Sequence, residues 1–139
     1  MSVSTVGGER VELSSRTAAL AVADFAAIAV FVGVGEVTHG YNPFVDVGRF
    51  AGTLAPFLLG WVLVGGLTGV YGSDVLRSRT GMAVRTLGSW VLAVVVAQLL
   101  RATAVFHGDA ALTFALVSVA IGGTLLVVAR TAASLLLAR

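Results

Sequence analysis

Residues 17–35 form a run of nineteen that holds one charge, Asp24. A helix rising ~1.5 Å per residue needs about 20 mainly apolar residues to cross a bilayer. This run is long enough to span one and too apolar to rest on a water-facing surface. Of the 139 residues, 58% are hydrophobic and 12% charged, with a mean hydropathy of +0.99. A soluble domain carries about 25% charged residues. Half that share, set in blocks between apolar runs, leaves room for four spans, short loops and no separate soluble domain.

The leader, residues 1–15, mixes Glu9, Arg10 and Glu12 with two adjacent glycines and reads as a polar tail, helical from Gly8. A signal peptide is the competing reading of the first apolar run. The mixed charge of the leader argues against it, as does a run longer than the roughly 7–15 residues of a signal core. The spans are expected at residues 16–35, 49–71, 82–106 and 110–130, with a tail at 131–139 that continues the last helix. His39-Gly40 and Asn42-Pro43 break the pattern after the first span. Tyr41, Phe44 and Phe50 suit the headgroup level. His107-Gly108-Asp109 is a tight turn between the last two spans. All nine basic residues are arginine. Seven lie on the side of the two termini and two, Arg49 and Arg101, on the other, which predicts cytoplasmic termini. The expected fold is an all-α, integral membrane four-helix bundle in the cell membrane.

Several function classes have no support. Without cysteine there is no thiol nucleophile and no cysteine metal site. The net charge of +2 is a small arginine excess, not a nucleic-acid footprint. No nucleophile elbow, phosphate loop or zinc helix motif is present, so neither an enzyme activity nor a cofactor is expected. His39 and His107 with Glu36 and Asp109 resemble a zinc-type set, but different loops hold them and nothing fixes their spacing. They read as solvated loop residues, and no metal is expected.

Helices in lipid associate through close packing of small residues. Gly48, Gly52, Pro56 and Gly60 recur every four residues on the second span, and Gly65 and Gly69 extend the small surface. Ser89, Ala93 and Ala97 make a stripe on the third span, Ala19, Ala23 and Ala27 on the first, and Ser118 with Gly122 on the fourth. These faces serve either contacts inside one bundle or an interface with another subunit. Pro56 lacks the N–H that would bond to Gly52, so it breaks the helix locally. Arg16-Thr17 and His39-Gly40 in the first half echo Arg85-Thr86 and His107-Gly108 in the second. That is a parallel two-helix repeat or a chance likeness of apolar spans.

Inside the spans the polar positions form a ladder. Counted at ~1.5 Å per residue from the cytoplasmic ends, Asp24 lies about 12 Å up, Trp61 about 15 Å, Ser118 and Gln98 about 18 and 20 Å, and Arg101 about 24 Å. Asp24 is either a proton or cation site, with Ser118, Gln98 and Thr124 as its set, or a neutral carboxyl hydrogen-bonded to Thr124, Ser118 or the Trp61 indole. Arg101 is expected to pair with Glu36 or Asp109, as an anchor or as an anion or headgroup site at the outer mouth with His39 and His107. Trp61, beside the break at Pro56 and Phe57, either packs or lines an apolar ligand pocket.

Asp24, Gly35-x-x-x-His39-Gly40, Ala55-Pro56-Phe57-x-x-Gly60-Trp61 and Arg101 together resemble the pattern of a domain-of-unknown-function family of small prokaryotic four-span membrane proteins. The Pro-Phe-x-x-Gly-Trp element is its most specific part. Glu36 departs from the pattern, which is associated with a basic residue there. The resemblance implies fold and membrane location and no activity. Two functions follow as expectations: an accessory or structural subunit, packed as a homo-oligomer or in a larger membrane complex, and a small proton- or ion-coupled transporter loaded at Asp24. Lipid or isoprenoid binding beside Trp61 is a third.

Overall fold

The computed structural model describes residues 2–5, 8–106 and 111–138. Among these, four helices are long and apolar enough to cross a membrane: α1 (Ser15–Thr38), α2 (Val47–Thr68), α3 (Arg79–Arg101) and α4 (Leu112–Leu137). Their make-up is that of a small four-span membrane protein. The starts of α1 and α3 meet the ends of α2 and α4, so the helices alternate in direction. The largest interfaces are α2 with α3 and α1 with α4.

The tail expected to turn helical at Gly8 is instead a hairpin. β1 (Ser2–Thr5) pairs antiparallel with β2 (Gly8–Glu12). Val11 in β2 also bridges in parallel to Tyr71, which gives this strand a second backbone partner. Serine hydroxyls open two of the helices. Ser14 accepts from the Thr17 N–H at 3.2 Å and Ser78 from the Gly81 N–H at 3.0 Å. Each satisfies one of the donors left over in a first helical turn.

The helix ends differ from the expected spans for local reasons. α1 runs past residue 35 to Thr38, because no breaker stands before Gly40, which takes φ +86°. α2 stops short of Tyr71, because Gly69 takes φ +81° and turns the chain out of the helix. α3 ends at Arg101 rather than Phe106, and α4 continues past Arg130 to Leu137. Inside α4, Ser118–Gly122 form a π turn. There the Trp90 indole N–H donates to the Ser118 carbonyl at 2.8 Å. The same ring lies against Gly122, where a Cβ would come within 2.5 Å of it. A π turn perturbs the i to i+4 ladder, and this one sits where a side chain from another helix takes a carbonyl of α4.

The core is a continuous aromatic cluster. Phe31 meets Phe57 edge-on at 5.5 Å, Phe57 stacks on Trp90 at 5.8 Å, and Trp90 meets Trp61 at 6.2 Å. The outward sides carry Val22, Val30, Leu63, Leu67, Val84 and Leu99, each more than half exposed, a surface suited to lipid rather than water. The small stripe of α2 divides in two. Pro56 and Gly60 are buried, and Gly60 lies so near α3 that a Cβ would meet the Ala93 carbonyl oxygen at 2.6 Å. Gly48 and Gly52 are exposed, with open space where a Cβ would go.

This division sets a test. Gly60→Ala is expected to destabilise the bundle by about 1–3 kcal/mol through overpacking. Gly52→Ala is expected to stay within about 0.5 kcal/mol of the parent, the usual range for an exposed change. Reversible denaturation in mixed micelles measures both, and equal effects would contradict the packing described.

Candidate functional site

Asp24 lies ten residues into α1, at the end of the bundle where both termini emerge. The sequence places a carboxylate there; the fold places the guanidinium of Arg130, from α4, against it. Arg130 Nε donates to Oδ1 at 2.8 Å and Nη2 to Oδ2 at 2.7 Å, a parallel fork of charge-assisted bonds. Both side chains are wholly buried. The Tyr71 hydroxyl donates to Asp24 Oδ2, and the Trp61 indole N–H donates to the Tyr71 oxygen at 2.8 Å. The remaining face of Arg130 is taken by the Val70 carbonyl, to which Nη1 donates at 2.9 Å.

The turn at Gly69 makes this set possible. Leaving the helix there, the chain folds back under the bundle instead of running out to solvent. Val70 is fully buried and Val75 nearly so. Val70 presents its carbonyl to Arg130, and Tyr71, the next residue, donates its hydroxyl to Asp24. Arg85 pins the turn from α3: its Nη1 donates to the Gly69 carbonyl at 3.0 Å, and its fork holds Asp74 at 3.0 and 3.2 Å. Those bonds keep the Asp74 carboxyl below the usual carboxylate range.

Chemically, the Asp24 set is closed. Each guanidinium nitrogen of Arg130 has an acceptor, and Asp24 receives three bonds. Buried ions persist only when paired and hydrogen-bonded in this way.

The opposite end of the bundle is different. Glu36, buried in α1, accepts from Arg49 Nε of α2 at 3.1 Å. The Arg49 guanidinium lies 3.7 Å above the Tyr41 ring. From α3, Arg101 donates to Gln98 Oε1 at 2.8 Å and sits 4.3 Å over the Phe114 ring. These residues and His39 border a cavity of about 350 Å³ floored by Phe31 and Phe114.

Several expected groupings are not assembled. The Ser118 hydroxyl donates to the Phe114 carbonyl at 2.6 Å, because a serine inside a helix bonds back to its own previous turn. Thr124 does the same to Ala120 at 2.7 Å and is exposed on the outer face. The Gln98 amide donates to the Ala111 carbonyl at 3.0 Å. None of the three bonds to Asp24. Glu36, expected to pair with Arg101, pairs with Arg49 instead, because the turn at Gly40 brings the start of α2 back over it. Glu36, His39 and Arg101 do share one cavity. His107 and Asp109 lie outside the described residues. Phe57, Gly60 and Trp61 are core, and Gly65 lies 3.0 Å from Val70 at the position a Cβ would take. Among the described residues, no three His, Asp or Glu side chains gather as a metal site.

Sequence reasoning missed Arg130, Tyr71 and Trp90. Arg130 carried a readable signal, since residues 131–138 after it are almost all apolar. A charge followed by two more apolar turns is inside a span, not at its boundary.

A family model described as a protein of unknown function, DUF3054, matches residues 21–133, a stretch that reaches all four helices. The chain belongs to that family. No curated protein and no solved structure matches it.

The chain of bonds from Trp61 through Tyr71 to Asp24 predicts a selective effect. Tyr71→Phe strands the buried Trp61 N–H and is expected to cost about 1–3 kcal/mol. With two tryptophans in the chain, a ¹⁵N spectrum shows two indole signals. The Trp61 signal is expected to shift strongly in Tyr71→Phe, and that of Trp90 to stay in place. Equal movement of both would contradict the network.

Proposed function

We propose that this member of the family is a non-enzymatic membrane protein that acts as an accessory or structural subunit. It packs in the membrane plane against a partner protein or a second copy of itself. The observation that carries this reading is the closed polar interior. Asp24 and Arg130 satisfy one another and their neighbours, and the aromatic cluster of Trp61, Trp90, Phe57 and Phe31 fills the bundle between them and the far cavity. A transporter loaded at Asp24 needs a polar route, yet Ser118, Gln98 and Thr124 bond elsewhere. A lipid or isoprenoid pocket at Trp61 needs space, yet Trp61 is wholly buried.

Other features agree with the subunit reading. The connections between helices are short, so they offer little surface of their own. Gly52 on α2 and Gly88 on α3 are exposed and have open space around them, so another helix can approach closely there. The arginine distribution supports cytoplasmic termini in the cell membrane.

Native mass spectrometry of protein extracted gently from its own membranes tests the proposal. The expected result is a defined assembly, heteromeric or homomeric. In proteoliposomes, proton and cation flux is expected to equal that of empty vesicles. A lone monomer, together with a flux abolished by Asp24→Asn, would overturn it.

A further inference from the structure

We propose that a groove on the lipid-facing side of α1 holds one acyl chain of a membrane phospholipid, in the leaflet remote from the termini. The inference goes beyond the subunit reading and lies away from Trp61. The groove, about 490 Å³ in volume, runs along the second half of α1 and is bounded by Phe50 of α2 and by Pro43 and Phe44 of the connection between them. Ala29 stands just past the middle of α1 and Thr38 is its last residue, so the groove occupies one leaflet. Between these two it extends about 14 Å, at ~1.5 Å per residue. A hydrocarbon core of about 30 Å gives each leaflet about 15 Å, so groove and chain agree in length.

Particular residues make the groove. Gly33 leaves the wall low where α1 passes Phe50. A Cβ there would lie 3.7 Å from the edge of the Phe50 ring and meet nothing else within 4 Å. Thr38, the one polar side chain of the lining, donates its hydroxyl to the Val34 carbonyl at 2.7 Å. Its donor is thereby satisfied inside its own helix. The end of the groove is bordered by a hydrogen-bonded turn. Asn42 Oδ1 accepts from the Phe44 N–H at 2.9 Å, and the Asn42 carbonyl accepts from the Val45 and Asp46 N–H groups at 3.0 and 2.7 Å. These bonds hold Pro43 and Phe44 at the mouth, where Phe44 is 91% exposed. An aromatic ring so exposed suits the headgroup level.

The dimensions choose the occupant. Spread over its length, the volume gives a mean cross-section of about 35 Å². A helix with its side chains is about 10–12 Å across, far too wide to enter, whereas an acyl chain is a single file of methylenes. The lining carries no charged side chain, so nothing in it favours a polar ligand. Walls with no atoms opposite them forfeit dispersion contacts, and chains of the surrounding lipid supply those atoms at this depth.

The test uses the full chain reconstituted in vesicles of phosphatidylcholine that carries a diazirine at the middle of one acyl chain. After irradiation the labelled residues are mapped by mass spectrometry, beside native mass spectrometry of the same sample. Label is expected to concentrate on residues 29–38 and on Phe50. Leu59 of α2 and Leu92 of α3, each also more than half exposed, are expected to take much less. Gly33→Leu fills the groove and is expected to lower its label about tenfold, the scale of overfilling a packed site. Gly33→Ala, whose Cβ fits beside Phe50, is expected to keep the label. The two indole signals report whether each variant is folded. Label spread evenly over the lipid-facing surface, or undiminished in folded Gly33→Leu, overturns the proposal. An unlabelled groove overturns it as well, and a homo-oligomer in the same sample then gives the face to a second copy.

Discussion

The bundle depends on one ion pair, Asp24 with Arg130. A lone charge in an apolar span is expensive, and two charges placed apart would be doubly so. Brought together, with three bonds into the carboxylate and every guanidinium nitrogen engaged, they form a neutral unit. That unit joins the first helix to the last and needs a carbonyl and a hydroxyl from the α2–α3 connection. The turn at Gly69, the burial of Val70 and the grip of Arg85 on the turn all follow from that need. Pairing of this kind stabilises less than its attraction suggests, because desolvation offsets most of the gain, but it specifies one arrangement of helices.

The two ends of the molecule treat charge differently. At the terminal end each guanidinium nitrogen of Arg130 is matched to an acceptor and both ions of the pair are sealed from solvent. At the far end Arg49 is matched at one nitrogen and more than half exposed beside a cavity. Aromatic rings fill the space between, with centroid separations from 5.5 to 6.5 Å. This apolar filling separates the two polar ends. The terminal end holds the fold together, and the far end is where a ligand has room.

Much of this architecture is legible in the sequence, because a bilayer imposes one strong rule. Apolar runs of about 20 residues must be helices whose backbones satisfy themselves. The spans and the isolation of Asp24 follow directly. The partner of Asp24 does not, because counting arginines at loop boundaries assigns Arg130 to the water interface. The positive-inside rule weighs charges near span ends and does not register a helix that goes on for two more turns. Side-chain height along a straight helix is also a poor guide to facing. Ser118 and Thr124 stand at useful heights, yet one bonds back within α4 and the other points outward. Contacts created by turns were beyond reach for a related reason. Glu36 meets Arg49, and Tyr71 meets Asp24, only after Gly40 and Gly69 adopt left-handed backbones. Backbone choices of that kind are set by tertiary fit. The hairpin before α1 depends likewise on the parallel bridge from Val11 to Tyr71.

The most direct measurement is a double-mutant cycle on Asp24 and Arg130, read as unfolding free energy in mixed micelles. Asp24→Leu and Arg130→Met are each expected to cost about 3–5 kcal/mol, because each strands a buried charge. The double variant is expected to cost far less than the sum of the two. Additive losses would mean that the two charges do not depend on each other, and would contradict the central role given to the pair.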